Sequence, residues 1–573
     1  MDKKDIASIL KDISVLLDLK GENPFKSKAY VNAARIIETV DIDLEQAVRD
    51  GTLDTIKGIG KGLAEKITEI ILTGESAYYK ELKSSFPEEL LQLLDIPGLG
   101  PKKVKVLYEQ LGIKTIGELE YACQENRLIG LPGFGQKSQT NILQGIEHLK
   151  KYRSRFLYPV ALENAHLIME YLRDDPKIGK IEVAGSLRRK METVKDIDLL
   201  VSTKYPEEVS DKIAKFQQVE TVIAKGDTKT SITLDSGINA DLRVVTAEQF
   251  PYALHHFTGS KEHNTAMRAR AKKSGYKMNE YGLFKEEKLV PCRDETAIFI
   301  ELGLDYIPPE LRENLGEIEA AEQKNLPVLI EEKDISGIFH VHTTFSDGSN
   351  TLEELVKACQ QKGWKYIGIS DHSKTAAYAG GLSIDQIYAQ HESIDRLNSN
   401  NKKFQIFKGI ESDILTNGDL DYPDNILEKF DFIIASVHSN FRMSKKDMTD
   451  RIIKALNNPH TTMLGHPTGR LLLSREAYEL DMEEVLETAA AMNVMIEINS
   501  HPYRLDLDWR EVIKAKDKGI MLSVNPDAHN IEGLDDFRYG VGIARKGWLS
   551  RDQILNCMDI QTCTTLLKRR KIQ

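Results

Sequence analysis

Two histidines one residue apart, His340 and His342, end an apolar stretch in the segment SGIFHVHTTFSDG, and Asp347 follows five positions later. Residues two apart on a strand point to the same face, so both imidazoles can bind one metal ion. Asp527 and His529 repeat this spacing near the C terminus. These residue types and spacings predict a metal site built from imidazoles and carboxylates.

More candidate ligands follow apolar runs in the C-terminal part of the chain. Strand-like and helix-like segments alternate from residue 336 onward, which predicts a βα barrel with its chemistry at the C-terminal ends of the strands. The residues expected at those ends are Asp371, His372, Glu411, Asp413, His438 and His466. One such histidine alone is usually a hydrogen-bonded core residue. So many together favour a metal site, because a purely structural barrel has little use for polar groups that are costly to bury.

Hydrolysis of a phosphate ester is the chemistry expected of this barrel. Clustered divalent ions activate water and neutralise the oxygens of a phosphate group and of its leaving alkoxide. Mixed imidazole and carboxylate ligands suit Mn²⁺, Zn²⁺ or Fe²⁺. The sequence leaves the choice among these metals open.

A separate group of carboxylates follows the segment GSLRR. Asp196 and Asp198 are two residues apart in a strand-like run, and Asp241 lies in another such run, NADLRVV. Packed carboxylates repel one another unless divalent cations lie between them, and two Mg²⁺ ions held there would clamp the attacking and leaving groups of a phosphoryl transfer. Asp-x-Asp alone is better explained as acid in loops beside strands. The preceding Gly-Ser turn and Arg189 favour a triphosphate site, because backbone N–H groups and a guanidinium bind phosphate.

The elements that carry these residues change along the chain. Helical periodicity predicts an all-helical region up to about residue 150, and short β-branched runs such as DIDLLVST and KTSITLDS then predict an α+β region. The charged segment GEIEAAEQKNLPVLIEEKDIS contains Pro327 and is expected to be a linker. The fold class is therefore multidomain, with a helical N-terminal region, an α+β region and a C-terminal βα barrel.

A weak internal repeat lies in the helical region, in IKGIGKGLAEKI, IPGLGPKKVKVL and LPGFGQKSQTNIL. Two glycines let the backbone approach a phosphate, and the following helix points its N–H groups at the same anion. The glycines are Gly58, Gly60, Gly98, Gly100, Gly133 and Gly135. One such pair would be only a helix cap and turn, but three predict sequence-independent binding of DNA phosphates.

Composition and charge are those of a globular protein of several domains. The 573 residues are 41% hydrophobic and 29% charged, and the net charge of −11 argues only mildly against a nucleic-acid partner, because backbone N–H groups can replace lysine. Five scattered cysteines without a Cys-x-x-Cys pair predict reduced thiols. Without an apolar run that could span a bilayer or form a signal peptide, we expect a cytoplasmic monomer that does not contact membranes.

The C-terminal pattern resembles the PHP (polymerase and histidinol phosphatase) domain family. The elements HVH, SDG, SDH, GIE, SVH, LGHP and PDAH follow the order of the family's motifs. The resemblance implies a distorted seven-stranded barrel with up to three metal ions, Mn²⁺ or Zn²⁺. The ligands it implies are His340, His342, Asp347, His372, Glu411, His438, His466, Asp527 and His529.

The first half resembles the family X DNA polymerases. GSLRR followed by Asp-x-Asp resembles nucleotidyltransferases in general, and HHFTGSKEHNTAMRARAKKSGYKMNEYGL resembles the thumb motif of family X. The resemblance implies that Asp196 and Asp198 bind both Mg²⁺ ions and that Asp241 helps to deprotonate the primer 3′-hydroxyl. It further implies that Gly185, Ser186 and Arg189 contact the triphosphate, that Phe257 and Gly259 lie against the sugar, and that Asn264 and Arg268 lie near the nascent base pair and template.

Departures from the family pattern occur at His256, where many members have tyrosine, and at Lys261, where some have aspartate. The glycine repeats resemble helix-hairpin-helix hairpins. The first region resembles the family's N-terminal domain, which implies a 5′-phosphate pocket at Lys26 and Tyr30 and a lyase lysine at Lys66. A lysine on an exposed helix face is more often merely solvated, so both interpretations of Lys66 stay open.

The expected domains are an N-terminal helical domain (1–85), a helix-hairpin-helix subdomain (86–150), a palm (151–250), a thumb (251–315), a linker (316–335) and a PHP phosphoesterase domain (336–573). The leading hypothesis is a gap-filling DNA repair polymerase that uses dNTPs, with a PHP domain that acts as a 3′→5′ exonuclease and, more weakly, at abasic sites. One alternative gives the PHP domain another phosphate ester, such as a metabolite or pyrophosphate. Another is a DNA-binding scaffold without catalysis.

Overall fold

A computed structural model of the chain describes residues 3–39, 44–96, 98–150 and 155–568, which form two compact units, Met1–Leu149 and Lys150–Gln573. Each unit has its own buried apolar clusters. Among the described helices, none is both long and apolar enough to cross a membrane.

The first unit contains helices and no strand in its described residues, which confirms the all-helical prediction. Its helices are α1 (Lys3–Lys20), α2 (Pro24–Thr39), α3 (Leu44–Arg49), α4 (Lys61–Thr73), α5 (Ala77–Ser84), α6 (Glu88–Gln92), α7 (Pro101–Leu111), α8 (Ile116–Gln124) and α9 (Gln136–Lys150). Helix α7 shows how sequence sets these limits. Pro101 occupies the first turn, where its missing N–H costs nothing, and Gly112 ends the helix in the left-handed conformation.

The second unit begins with an α+β region. Its elements are β1 (Phe156–Leu157), α10 (Tyr158–Arg173), β2 (Ile178–Val183), α11 (Gly185–Arg188), β3 (Thr193–Val194), β4 (Asp196–Thr203), α12 (Pro206–Ala214), β5 (Val219–Lys225), β6 (Lys229–Leu234) and β7 (Asn239–Val245). The main sheet has the order β2-β4-β7-β6-β5, and β4 and β7 are its parallel pair. Strands β4 and β7, which carry the aspartates, are thus interior neighbours in the sheet.

A smaller region with a three-stranded sheet follows. Its elements are α13 (Phe250–Thr258), α14 (Lys261–Lys273), β8 (Tyr276–Asn279), β9 (Gly282–Lys285), β10 (Lys288–Leu289), α15 (Glu295–Glu301) and α16 (Glu317–Glu322). Helix α16 lies in the segment 316–335 that the sequence predicts as a linker. Ile318, Ala321 and Leu329 are buried in the apolar cluster of residues 252–329, so this segment is packed rather than a free connection. In the sequence, charged neighbours obscure the helical spacing of these apolar residues.

The C-terminal region is a nearly closed barrel of seven parallel strands in sequence order, as predicted. Its elements are β11 (Gly337–Val341), α17 (Leu352–Gln361), β12 (Tyr366–Ile369), α18 (Ile384–Asn400), β13 (Gln405–Asp413), α19 (Asp424–Leu427), β14 (Phe432–Ser436), α20 (Lys445–Asn457), β15 (Met463–Leu464), α21 (Met482–Ala491), β16 (Met495–Asn499), α22 (Trp509–Asp517), β17 (Leu522–Asn525), α23 (Phe537–Lys546) and α24 (Ile560–Lys568). A parallel bridge between Val341 and Ala528 brings the two end strands together at the C-terminal rim.

Candidate active sites

The sheet register brings the three predicted aspartates together. In the parallel pair β4–β7, Asp198 lies directly opposite Asp241, and Asp196 lies two residues before Asp198 on the same face. On the neighbouring strand β6, Ser231 pairs with Asp241 in register, and its Oγ donates a hydrogen bond of 2.6 Å to Asp241 Oδ1. The side chain of Asp241 is therefore fixed toward the other two carboxylates.

The electrostatics of this group favour bound cations. Burial, and then the negative charges of Asp196 and Asp241, raise the pKa of Asp198 to about 6. Nζ of Lys229 lies 2.7 Å from Oδ2 of Asp241 and offsets one of the charges. Carboxylates of this kind are the ligands that Mg²⁺ prefers. The residues present thus fit the divalent ions expected from the sequence.

The Gly-Ser turn lies against the same carboxylates. Gly185 has a φ of +61°, and a Cβ at this position would lie 2.1 Å from Oδ2 of Asp198, so only glycine fits. The backbone N–H of Ala184 donates to the carbonyl of Asp198 at 2.8 Å. Ser186, the predicted triphosphate contact, follows in the short helix α11. The turn and the aspartates therefore form one site.

Arg189, the third predicted triphosphate contact, is held by a side chain and a backbone carbonyl that the sequence interpretation missed. Its Nε donates to Oε1 of Glu313 at 3.0 Å, and its Nη1 donates to the carbonyl of Thr258 at 2.5 Å. The preceding Arg188 donates to Oε2 of Glu295 at 2.5 Å. The two arginines thus connect the Gly-Ser turn to residues 250–313.

The other predicted nucleotide contacts lie around the end of α13 and the start of α14. Phe257 packs its ring 4.1 Å from the guanidinium carbon of Arg243, and Gly259 has a φ of +71°. Nδ2 of Asn264 donates to the carbonyl of His256 at 2.7 Å. A small cavity beside them is lined by His255, His256, Asn264, Arg268, Met278 and Asn279. His256, a departure from the family pattern, therefore borders the same cavity as Asn264 and Arg268.

In the barrel, the predicted ligands converge at the C-terminal ends of the strands. The rings of His340 and His342 are 5.3 Å apart, as their spacing predicts, and the ring of His529 stacks on that of His342 at 4.1 Å. Ligand atoms lie within 4.8 Å of one another in each of four groups. The groups are His342, Asp347, His372 and His529; His340, His466 and Asp527; His340, His342 and Glu411; and His372, Glu411 and His438.

Glu411 is the centre of this arrangement. Its Oε1 lies 2.9 Å from Nε2 of His466, 3.1 Å from Nε2 of His438 and 3.2 Å from Nε2 of His340. Its Oε2 lies 2.9 Å from Nδ1 of His372. Glu411 belongs to two of the four groups. Glu411 could therefore supply ligand atoms to more than one metal ion.

The barrel residues fit several metal ions. Several buried atoms make close contacts within this group but no hydrogen bond of good geometry; among the described residues they are Nε2 of His340, both ring nitrogens of His342, Oδ2 of Asp347 and Oε2 of Glu411. Burial, with the charges of His529 and His372, lowers the pKa of His342 to about 3, so this imidazole is neutral and can act as a ligand. A metal ion held by these residues would satisfy such buried polar atoms.

Two strand-end aspartates play supporting roles. Oδ1 of Asp371 accepts the backbone N–H of Thr343 at 2.8 Å, and its Oδ2 accepts Nε2 of Gln390 at 2.6 Å, so this carboxylate shapes the loop after β11. Oδ1 of Asp413 lies 2.5 Å from Nδ1 of His438 and fixes the orientation of that ring. Both carboxylates therefore contact other protein groups. This agrees with the ligand set that the family resemblance implies, because that set omits Asp371 and Asp413.

Glu497 is a fully buried carboxylate that the sequence interpretation missed. Its Oε1 lies 2.6 Å from Nδ1 of His340 and accepts Nδ2 of Asn525 at 2.9 Å, while its Oε2 accepts the backbone N–H of His466 at 2.7 Å and Nδ2 of Asn499 at 3.2 Å. One carboxylate thus orients two ligands. In the segment VMIEINS, polar Glu497 and Asn499 alternate with apolar residues on a buried strand, a signal that could have identified them.

Replacing Glu497 with glutamine should weaken metal binding in the barrel by about 10- to 100-fold, because His340 loses the carboxylate that fixes its ring and raises its basicity. Competition of the purified protein with a chelator, with the bound metal counted by elemental analysis, measures this affinity. The matched control is Glu487→Gln on the exposed face of α21, which should bind metal like the parent chain. Equal affinity in both variants would show that Glu497 does not orient the ligands.

The glycine repeats of the first unit adopt one conformation. Gly58, Gly98 and Gly133 have φ values of +99°, +82° and +83°, which other residues rarely adopt. Gly60, the second glycine of the first repeat, is the N-cap residue of α4, and Gly100, the second glycine of the second repeat, is the N-cap residue of α7. In the third repeat the corresponding glycine, Gly135, directly precedes α9. The structure therefore reproduces the sequence repeat as three equivalent turns, each leading into a helix.

Lys66 lies in an aromatic and basic group of the first unit. Its Nζ is 3.9 Å from the ring centre of Tyr78, and that of Lys26 is 5.7 Å from the same centre. Tyr30 stacks on Tyr78 at 6.3 Å, and burial raises the pKa of Tyr30 to about 12. The predicted phosphate-pocket residues therefore lie together with Lys66. Whether Lys66 acts as a nucleophile stays a prediction.

Four family models match the chain in the predicted order. They are a helix-hairpin-helix domain (residues 1–76), a SAM-like helix-hairpin-helix tandem (90–147), a DNA polymerase beta thumb (253–313) and a PHP domain (339–501). These matches cover the hairpin, thumb and barrel regions described above.

Relatives match the whole chain and its separate parts. DNA polymerase/3'-5' exonuclease PolX of Bacillus subtilis (strain 168) is 41% identical over 573 residues, which cover 99% of this chain and 100% of that protein. Repair DNA polymerase X of African swine fever virus is 32% identical over 30% of this chain and 98% of its own length. A probable phosphatase of Thermoanaerobacter sp. (strain X514) is 28% identical over 40% of this chain and 94% of its own length. Because the first similarity spans the chain from end to end, this protein belongs to the bacterial family X DNA polymerases with a C-terminal PHP domain.

Proposed function

We propose that the chain is a template-directed DNA polymerase that fills short gaps during DNA repair and removes nucleotides from 3′ ends with its PHP domain. The observation that carries the proposal is the presence of two separate carboxylate sites in the second unit. One is the Asp198–Asp241 pair beside the Gly-Ser turn, and the other is the cluster around Glu411. Both sites suit phosphate esters, and the relative that matches the whole chain is named for both activities.

At the polymerase site, the protein positions the primer end and the triphosphate. Asp241, fixed by Ser231 and Lys229, would take part in removing the proton of the primer 3′-hydroxyl. The turn at Gly185 and Ser186 would hold the triphosphate against the carboxylates. Two Mg²⁺ ions held by Asp196, Asp198 and Asp241 would supply the positive charge that stabilises the transferred phosphoryl group.

At the barrel site, buried ligands hold a fixed shape before substrate arrives. Glu497 orients His340, and Asp413 orients His438, so that the Nε2 atom of each ring points toward Glu411. Up to three ions, Mn²⁺ or Zn²⁺, would be held by the nine predicted ligands and would polarise the phosphodiester and a water molecule. We infer that the substrate of this site is a 3′-terminal phosphodiester, as the name of the relative that matches the whole chain suggests.

The partners that follow are gapped or primed duplex DNA and dNTPs. The three glycine turns of the first unit present backbone N–H groups for phosphates, which carry no sequence information. Binding to DNA is therefore expected to be independent of sequence. We propose a cytoplasmic monomer as the working form.

A duplex with a one-nucleotide gap tests the proposal. With Mg²⁺ and dNTPs the protein should add the complementary nucleotide to the primer, and with Mn²⁺ but without dNTPs it should shorten the same primer from its 3′ end. Gel analysis of a primer labelled at its 5′ end distinguishes the two reactions. Extension without shortening would instead favour another phosphate ester for the PHP domain. If neither reaction occurred, the DNA-binding scaffold without catalysis would remain.

A further inference from the structure

Lys546 is a charged side chain without access to solvent. It is the last residue of α23 in the PHP region, and its side chain is 0% exposed. Its Nζ donates to the carbonyl of Arg189 at 3.0 Å, to the carbonyl of Glu310 at 3.3 Å and to Oε1 of Glu313 at 2.8 Å. An ammonium has three N–H donors, so all of them have an acceptor.

These acceptors belong to the polymerase part of the chain. Arg189 ends the Gly-Ser turn, while Glu310 and Glu313 follow the thumb helices. Next to Lys546, Nε of Arg545 donates to Oε1 of Glu310 at 2.8 Å, and its Nη1 donates to the carbonyl of Ile330 at 2.8 Å. A buried, hydrogen-bonded interface therefore links the PHP region to the turn that would hold the triphosphate.

Glu313 is shared between two cations. Oε1 of Glu313 accepts Nε of Arg189 at 3.0 Å and Nζ of Lys546 at 2.8 Å. Burial alone would raise the pKa of Glu313, but the charges of Lys546 and Arg189 outweigh it and lower the pKa. Two positive groups thus face one carboxylate. Without Lys546, the full charge of Glu313 would be balanced by Arg189 alone.

We propose that Lys546, although it lies in the PHP domain, is a positioning residue for nucleotide binding by the polymerase site. It neutralises Glu313, which leaves the positive charge of Arg189 available to the triphosphate, and it fixes the backbone of the Gly-Ser turn through the carbonyl of Arg189. The inference rests on the proposed polymerase function. It adds a contribution of the nuclease domain to the affinity for dNTPs.

Replacing Lys546 with methionine should raise the KM for dNTP by about tenfold, the factor that loss of a single charge-assisted interaction typically gives. The kcat at saturating dNTP should change much less, and the 3′→5′ exonuclease rate and the metal content of the barrel should stay at parental values. Steady-state incorporation into a gapped duplex measures both constants. The matched control is Lys514→Met, on the half-exposed surface of α22, which should leave the KM unchanged.

A double variant separates charge balance from simple support. If Lys546 acts by neutralising Glu313, then Lys546→Met combined with Glu313→Gln should recover most of the lost dNTP affinity, because Arg189 is no longer paired with an unbalanced carboxylate. A double variant as poor as Lys546→Met would overturn the charge-balancing role of Lys546 and leave only its hydrogen bond to the backbone carbonyl of Arg189.

Two further outcomes are distinguishable. An unchanged KM in Lys546→Met, measured beside an active parental protein, would overturn this inference and leave the polymerase function intact. A parental protein that incorporates no dNTP would overturn the polymerase function itself. If Lys546→Met lost its exonuclease activity together with its fold, Lys546→Gln would decide the question, because glutamine keeps a donor for the carbonyl of Arg189 but lacks the charge: it should still raise the KM, and an unchanged KM would overturn the inference.

Discussion

Replacing Asp198 with asparagine should lower the rate of dNTP incorporation into a gapped duplex by about 10³-fold while the 3′→5′ exonuclease rate stays within about twofold of the parental value. Asp198 lies opposite Asp241 and beside Asp196, and burial together with their charges raises its pKa to about 6. An amide has nearly the same shape but cannot supply the negative charge that holds Mg²⁺. The substitution therefore removes charge from the site and changes its packing little.

The same preparation provides the internal control. Primer extension with Mg²⁺ and dNTPs reports on the palm, and primer shortening with Mn²⁺ alone reports on the barrel. Asp227→Asn, at an exposed turn before β6, is the matched variant and should incorporate dNTPs normally. If Asp198→Asn retained extension within tenfold of the parental rate, the assigned carboxylates would not be the catalytic ones.

The polymerase carboxylates could be predicted because their geometry is local. A spacing of two residues on a strand fixes Asp196 and Asp198 on one face whatever surrounds the sheet. The position of Asp241 depended on a strand that pairs beside β4, and the parallel register of β4 and β7 supplies that pairing. The convergence of the predicted barrel ligands was predictable for a similar reason, since a parallel barrel collects the C-terminal ends of its strands at one rim.

The contacts of the supporting residues could not be predicted, because their partners are distant in sequence. Glu497 contacts His340 across 157 positions, and Lys546 contacts Glu313 across 233. A charged residue on a helix is normally solvated, so Lys546 carries no sequence signal that it is buried. The segment 316–335 was predicted as a linker for another reason. Its charged residues dominate the sequence pattern and hide the fact that Ile318 and Ala321 pack into the apolar cluster of residues 252–329.

The two sites differ in how their charges are compensated. In the palm, Lys229 provides a cation beside Asp241, and Asp198 has a raised pKa. In the barrel, burial alone would raise the pKa of Glu411, but the surrounding histidines, His438 and His340 foremost, lower it well below its ordinary value. We therefore expect the palm to exchange its ions with each nucleotide. We expect the barrel to retain its ions, because its predicted ligands are buried and oriented in advance.

Replacing Glu411 with glutamine should therefore lower the 3′→5′ exonuclease rate by about 10³-fold or more and should also reduce the number of metal ions that the purified protein retains. Glu411 lies within 3.2 Å of His340, His372, His438 and His466, so its charge balances the whole cluster. Glutamine keeps the volume but removes the charge and one oxygen ligand. Elemental analysis counts the retained ions independently of any activity.

Polymerase activity separates loss of metal from loss of fold in this variant. Glu411→Gln should still extend a gapped primer with Mg²⁺ at the parental rate, because the three aspartates of the palm are unchanged. Glu392→Gln, at an exposed position of α18, is the matched control and should keep both its metal content and its exonuclease rate. Full exonuclease activity in Glu411→Gln would place the nuclease site elsewhere in the chain. Full activity with a reduced metal content would instead show that the reaction needs fewer ions than the cluster can hold.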